Sequence, residues 1–190
     1  MRSKSKWFLL MGALLILCSL GLMLFTMNAT KNAQKNATDM LARLEEILPP
    51  RSIGAKDNYS SMQMPVLELD GEELIGIIEI PEWNVSLPID STWNTKELYS
   101  LPQRFSGTVY DDSLVIGGMD QAGQFDCLKK MDIGNIVIVT DMTGAQFSYT
   151  VERIERKKSA AAEVLEDEQS NLTLFIRDAS SMDYILVRCM

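Results

Sequence analysis

The side chains that could act as nucleophile, proton carrier or metal ligand are few in this sequence. It holds three cysteines and no histidine at all. Without an imidazole, neither a Ser–His nor a Cys–His pair can be assembled within the chain, and no His-ligated metal site can form. Cys18 lies inside an apolar run, so only Cys127 and Cys189 stand outside it. Two thiols are no disulfide framework, and their spacing does not say whether they pair. Cys127 sits between Phe125 and Leu128, which suits a buried, inert thiol better than a reactive thiolate. These residues call for no metal and no organic cofactor.

The elements that would have to position any chemistry begin with an anchor. Trp7 to Met27 carries no charged side chain. As a helix of about 21 residues it spans roughly 31 Å, close to the ~30 Å core of a bilayer. Arg2, Lys4 and Lys6 precede it, and all 26 acidic residues follow it. The positive-inside bias places residues 1–6 in the cytoplasm, 7–27 in the membrane and the remainder outside the cell. The rival reading, a cleaved signal peptide, needs a shorter apolar core and small residues after it; Thr26-Met27-Asn28-Ala29 is a poor cleavage site. The acidic outer part disfavours nucleic acid and anionic lipid headgroups as partners.

Residues 28–64 read as a stalk. Within it, Met40, Leu41, Leu44, Ile47 and Leu48 recur at helical spacing, and Pro49-Pro50 ends that short helix. From residue 65 the pattern changes to strands: Leu74–Ile80, Val85–Ile89, Ser113–Ile116, Ile136–Thr140, Gln146–Arg156, Leu172–Ile176 and Tyr184–Cys189. Gln124–Lys130 reads as a short helix, and Ser159–Glu166 as a helical insert. The expectation is an all-β domain with short helices over residues 65–190, preceded by one transmembrane helix.

Six motifs in order resemble the sortase family. Gly76-Ile77-Ile78-Glu79-Ile80-Pro81 is similar to that family's entry strand, G-x-I-x-I-P, and Leu87-Pro88-Ile89 to the L-P-V/I that follows. Phe105-Ser106-Gly107-Thr108 with Asp111-Asp112-Ser113-Leu114-Val115-Ile116 resembles the approach to the family's histidine. Phe125, Leu128 and Gly134 match the later F-x-x-L and the G-D turn, with Asn135 in place of the Asp. Leu172-Thr173-Leu174-Phe175 looks like the strand that leads to the nucleophile. The similarity covers roughly residues 74–189. It implies an eight-stranded β-barrel and the setting of sortases, which are membrane-anchored cysteine transpeptidases on the surface of Gram-positive bacteria. In that family a cysteine attacks a sorting signal, a histidine protonates the leaving amine, and an arginine supports the oxyanion or the substrate backbone.

Carried over position by position, the resemblance finds none of the three. Met119 follows Val115-Ile116-Gly117-Gly118 where the histidine belongs, Arg177 follows Leu172-Thr173-Leu174-Phe175-Ile176 where the cysteine belongs, and Tyr184 opens the last strand where the arginine belongs. A thioether carries no proton to give, and a guanidinium is neither deprotonated nor nucleophilic at physiological pH. Cys189 falls on the face of its strand opposite to Tyr184, while Arg188 shares Tyr184's face about 13 Å further along. Two outcomes remain open for the altered groove. Either it binds an extended peptide, with Arg177 holding a carboxylate, or it is filled, with Arg177 paired to Asp120 or Asp178 and Met119 over the gap. The segment 157–169, rich in Glu163, Glu166, Asp167 and Glu168, takes the place of the family's substrate-covering loop. The resemblance thus implies a pseudo-sortase: a non-catalytic binding or regulatory module in surface-protein sorting or pilus assembly, with sorting-signal peptides or an active sortase as partners. The alternatives are an active transpeptidase with a non-standard site and a structural domain with an unrelated partner.

Overall fold

A computed structural model of the chain describes residues 2–53, 63–166 and 169–190. Part of the expected stalk, residues 54–62, and two acidic residues of the insert, Asp167 and Glu168, lie outside the described residues.

The first element is a helix of 46 residues, α1 (Arg2–Ile47). Its apolar part is long enough to cross a bilayer. The expected break after Met27 does not occur. No glycine or proline lies between Gly21 and Pro49, and the polar residues 28–36 cost only a few tenths of a kcal/mol each as helix formers. The helix therefore propagates until Pro49-Pro50, where Leu48 N–H still donates to Leu44 O at 2.9 Å.

The stalk expected over residues 28–64 differs in a second respect: its first part, the second half of α1, docks on the barrel. Ala37 and Leu44 are buried in the main core, and Met40, Leu41 and Leu48 pack against it. Full burial of one leucine is worth about 1.5–3 kcal/mol, enough to prefer docking over a free stalk. Arg43 adds a two-oxygen contact to Asp70, 2.7 and 2.6 Å, although both side chains are about half exposed and such pairs contribute roughly 1 kcal/mol or less.

Among the described residues ten strands follow: β1 (Ser52–Ile53), β2 (Leu67–Leu69), β3 (Glu72–Ile80), β4 (Val85–Asp90), β5 (Gln103–Ser106), β6 (Leu114–Gly118), β7 (Ile136–Asp141), β8 (Ala145–Lys157), β9 (Leu172–Arg177) and β10 (Tyr184–Cys189). Eight of them close a barrel in the order β3-β4-β5-β6-β9-β10-β8-β7 and back to β3; β1 and β2 extend β8 and β3. The pairs β6–β9 and β4–β5 are parallel and the remaining barrel pairs antiparallel. The barrel sheet is therefore mixed, with most of its pairs antiparallel. At the β3–β7 seam the strands come so close that a Cβ on Gly76 would lie 2.4 Å from Thr140 O. A 3₁₀ turn, Asp126–Lys130, and one helical turn, α2 (Ala162–Leu165), complete the domain.

Candidate functional site: the altered corner and the outer face of β6, β9 and β10

Strand register brings Met119, Arg177 and Tyr184, the three positions singled out by the motifs, to one end of the barrel. In the parallel pair β6–β9, Gly118 stands opposite Ile176, so Met119 and Arg177 each follow directly. In the antiparallel pair β9–β10, Tyr184 stands opposite Arg177. The Arg177 guanidinium carbon lies 5.9 Å above the centre of the Tyr184 ring, a cation–π contact worth about 0.5–1 kcal/mol at an exposed site. Met119 is half-buried, and its N–H donates to Gln124 Oε1.

The two aspartates expected to neutralise Arg177 have other partners. Asp120 takes Lys129 Nζ at 2.5 Å and the Ala179 N–H at 3.0 Å. That hydrogen bond raises the Lys129 ammonium above its ordinary range. Asp178 accepts from the Ser180 hydroxyl at 2.6 Å, the Ser180 N–H at 2.9 Å and Arg156 Nη1 at 3.0 Å. The Ser180 contacts first, then Arg156, hold its carboxyl well below the usual carboxylate range. Both carboxylates tie down the loop between β9 and β10. Each pairs with a cation on a neighbouring element because the exposed Arg177 side chain leans over Tyr184.

The thiols lie elsewhere. Cys127 and Cys189 are free and buried. Burial pushes the Cys127 thiol up to about 11 and the Cys189 thiol up to about 12, away from the low values of reactive cysteines. Cys189 belongs to the core, and its register partner is Leu172, at the opposite end of β9 from Arg177.

Side chains alternate across β6, β9 and β10. Leu114, Ile116, Leu172, Leu174, Ile176, Ile185 and Val187 face the main core, whereas Val115, Phe175 and Leu186 form a second cluster on the outer face. Both faces are thus buried, which explains why these strands read as nearly unbroken apolar runs. Trp93, Phe105 and Phe175 stack over the outer face with ring centres 5.3–5.8 Å apart. Gly117 permits this packing: a Cβ there would stand 2.5 Å from Trp93 Cζ3 and 2.6 Å from Phe175 Cζ. Leu165 is fully buried in the same cluster, with Val164, Ala160 and Tyr184 around it. The side chains that cover this face are Trp93, Phe105 and those of the insert. Trp93 carried no sequence signal, because it lies in the connection after β4 and meets Phe175 only through the fold.

Arg188 shares Tyr184's outer face, as its spacing predicts. It is buried, and Nη1 donates to Leu165 O at 2.5 Å and to Thr173 Oγ1 at 2.9 Å, while Nη2 donates to Val164 O. Nε lies 3.5 Å from Glu155 Oε2. The sequence gives no sign of this clasp, since Val164 and Leu165 look like one face of a short helix.

An eight-stranded mixed barrel with this order is the sortase fold. Among solved structures, sortase C1 of pilus island 1 from GBS matches at 19% identity over 86% of each chain, with a TM-score of 0.56. Sortase A from Corynebacterium diphtheriae matches at 19% identity over 85% of this chain and 81% of its own, TM-score 0.54. Sortase C from Clostridium perfringens SM101 matches at 18% identity over 85% and 88%, TM-score 0.53. No protein-family model and no curated protein matches the chain.

Proposed function

We propose that this chain is a membrane-anchored sortase-like protein that does not carry out transpeptidation and instead serves as a binding or regulatory module in surface-protein sorting or pilus assembly. α1 supplies the anchor, with the basic residues 2–6 on the cytoplasmic side and the barrel outside the cell. One observation carries the reading: the strand ends that converge at the barrel corner present a thioether, a guanidinium and a phenol at Met119, Arg177 and Tyr184. Loss of one nucleophile or base in a triad enzyme commonly costs about 10⁶ in turnover. A guanidinium in the nucleophile's place leaves no atom to form an acyl intermediate.

Arg177 still offers planar, forked donors at the solvent-facing corner. In this reading it holds a carboxylate or main-chain carbonyl of a sorting-signal peptide without cutting it. The test is to incubate the full-length protein in detergent micelles with sorting-signal peptides and an amine, and to follow products by mass spectrometry and binding by fluorescence. Binding without product, reduced by Arg177→Ala, is the expected result. Peptide cleavage or amide transfer would refute the non-catalytic assignment. Unchanged binding by Arg177→Ala would refute the contact, and absence of any binding would favour a structural domain with an unrelated partner.

A further inference from the structure

The segment that covers the outer face is held in an unusual way. α2 is a single turn with no side-chain cap at its N-terminus, and a helix that short has no stability of its own. Two interactions keep it in place. The Leu165 side chain is fully buried against Val115, Phe175 and Leu186, with Trp93 and Val164 alongside. The main-chain carbonyls of Val164 and Leu165 are both taken by Arg188, whose Nη1 is also fixed by Thr173 Oγ1. Arg188 is itself only 4% exposed and lies beside Glu155. A rigid guanidinium fork that grips consecutive carbonyls, next to a pocket for one aliphatic side chain, has the two components of a peptide-recognition site. The strands donate the clasp and the pocket; the insert contributes only what a bound peptide would.

We infer that the outer face of β6, β9 and β10 is a peptide trough, that residues 160–165 are its resident occupant, and that an incoming segment of the same chemistry exchanges with them. That chemistry is a pair of consecutive aliphatic residues, bulky at the second position, with both carbonyls free to accept from Arg188. Polar or charged side chains at the second position are excluded, because the pocket is walled by Val115, Phe175, Leu186 and Trp93. The inference rests on reading this face as a peptide-binding groove, but its ligand is defined by the chain's own segment and not by a sorting signal.

The probe is therefore a fluorescent peptide with the sequence of residues 159–166, SAAAEVLE, added to full-length protein in micelles. Leu165→Asp should release the resident segment, raising its amide exchange and strengthening peptide binding by about tenfold or more over the unaltered protein. Adding Arg188→Lys should abolish that gain, since an ammonium cannot fork between two carbonyls. A peptide with Asp at its own leucine should not bind. A folded Leu165→Asp protein that fails to bind the peptide would overturn the inference. Should that variant not fold, hydrogen exchange in Arg188→Lys alone decides. Faster exchange by about tenfold confined to residues 160–166 supports the trough, and unchanged or uniformly faster exchange overturns it. A protein that binds SAAAEVLE but no sorting signal keeps the trough and sinks the proposed function; the reverse sinks only the trough.

Discussion

The two faces of β9 and β10 are built from the same strands yet differ in what constrains them. The inner face is Leu172, Leu174, Ile176, Ile185, Val187 and Cys189, all in the main core. The outer face is Thr173, Phe175, Arg177, Tyr184, Leu186 and Arg188, and it mixes aliphatic, aromatic and cationic groups. Inner positions answer only to packing, so a barrel persists whatever the chemistry at its corner. Outer positions hold what the barrel can present to another molecule. Arg177 and Tyr184 lie on that second side, so the chemistry proposed for the corner can change without disturbing the core.

The inner face is the more sensitive of the two to a lost side chain. Leu174→Ala should destabilise the protein by about 2–5 kcal/mol, seen as a fall in the denaturant midpoint; a loss below about 1 kcal/mol would mean that the core is not packed as described. The outer face should be less demanding. Gly117→Ala places a methyl against Trp93 and Phe175 and should cost about 1–3 kcal/mol, with a change in tryptophan fluorescence that Leu174→Ala does not give.

A pH series sharpens the comparison at the corner. Because the folded Asp178 carboxyl lies below its unfolded value, its contribution to stability is present above the unfolded pKa, about 3.9. It is lost as pH falls through the folded value. Asp90 and Glu72 lie above their ordinary values, chiefly through burial, and act in the opposite sense. Asp178→Asn should therefore flatten the acid limb of the stability curve while leaving those two contributions in place; an unchanged acid limb would refute the Ser180 and Arg156 contacts as its source. The smallest effect belongs to Arg177→Ala. It should lower stability by no more than about 1 kcal/mol, the worth of its exposed cation–π contact with Tyr184, while reducing peptide binding.

Most of the barrel is legible in the sequence because its strands obey simple rules. β8 alternates buried and exposed residues over its first half, and β9 and β10 are buried on both faces for most of their length. Met119, Arg177 and Tyr184, picked from separate motifs, are brought to neighbouring strand ends by the register of β6, β9 and β10. What escapes is non-local. β5 (Gln103–Ser106) is polar in sequence and becomes a strand through pairing with β6. Residues 28–36 look like a linker, yet nothing in them stops a helix that is already propagating. Asn135, which departs from the motif's Asp, accepts the Asp132 N–H across its turn at 2.6 Å. The Arg188 clasp depends on carbonyls, which carry no residue-type signal.

The proposed absence of sortase chemistry is tested most directly by the thiols, because that test does not depend on the choice of peptide. In the full-length protein with Cys18→Ala, iodoacetamide should label neither Cys127 nor Cys189 at neutral pH until the chain is unfolded. The burial that pushes these thiols to about 11 and about 12 leaves almost no thiolate and no access. Rapid labelling of either cysteine in the native state near pH 7 would reveal an activated nucleophile and contradict the account.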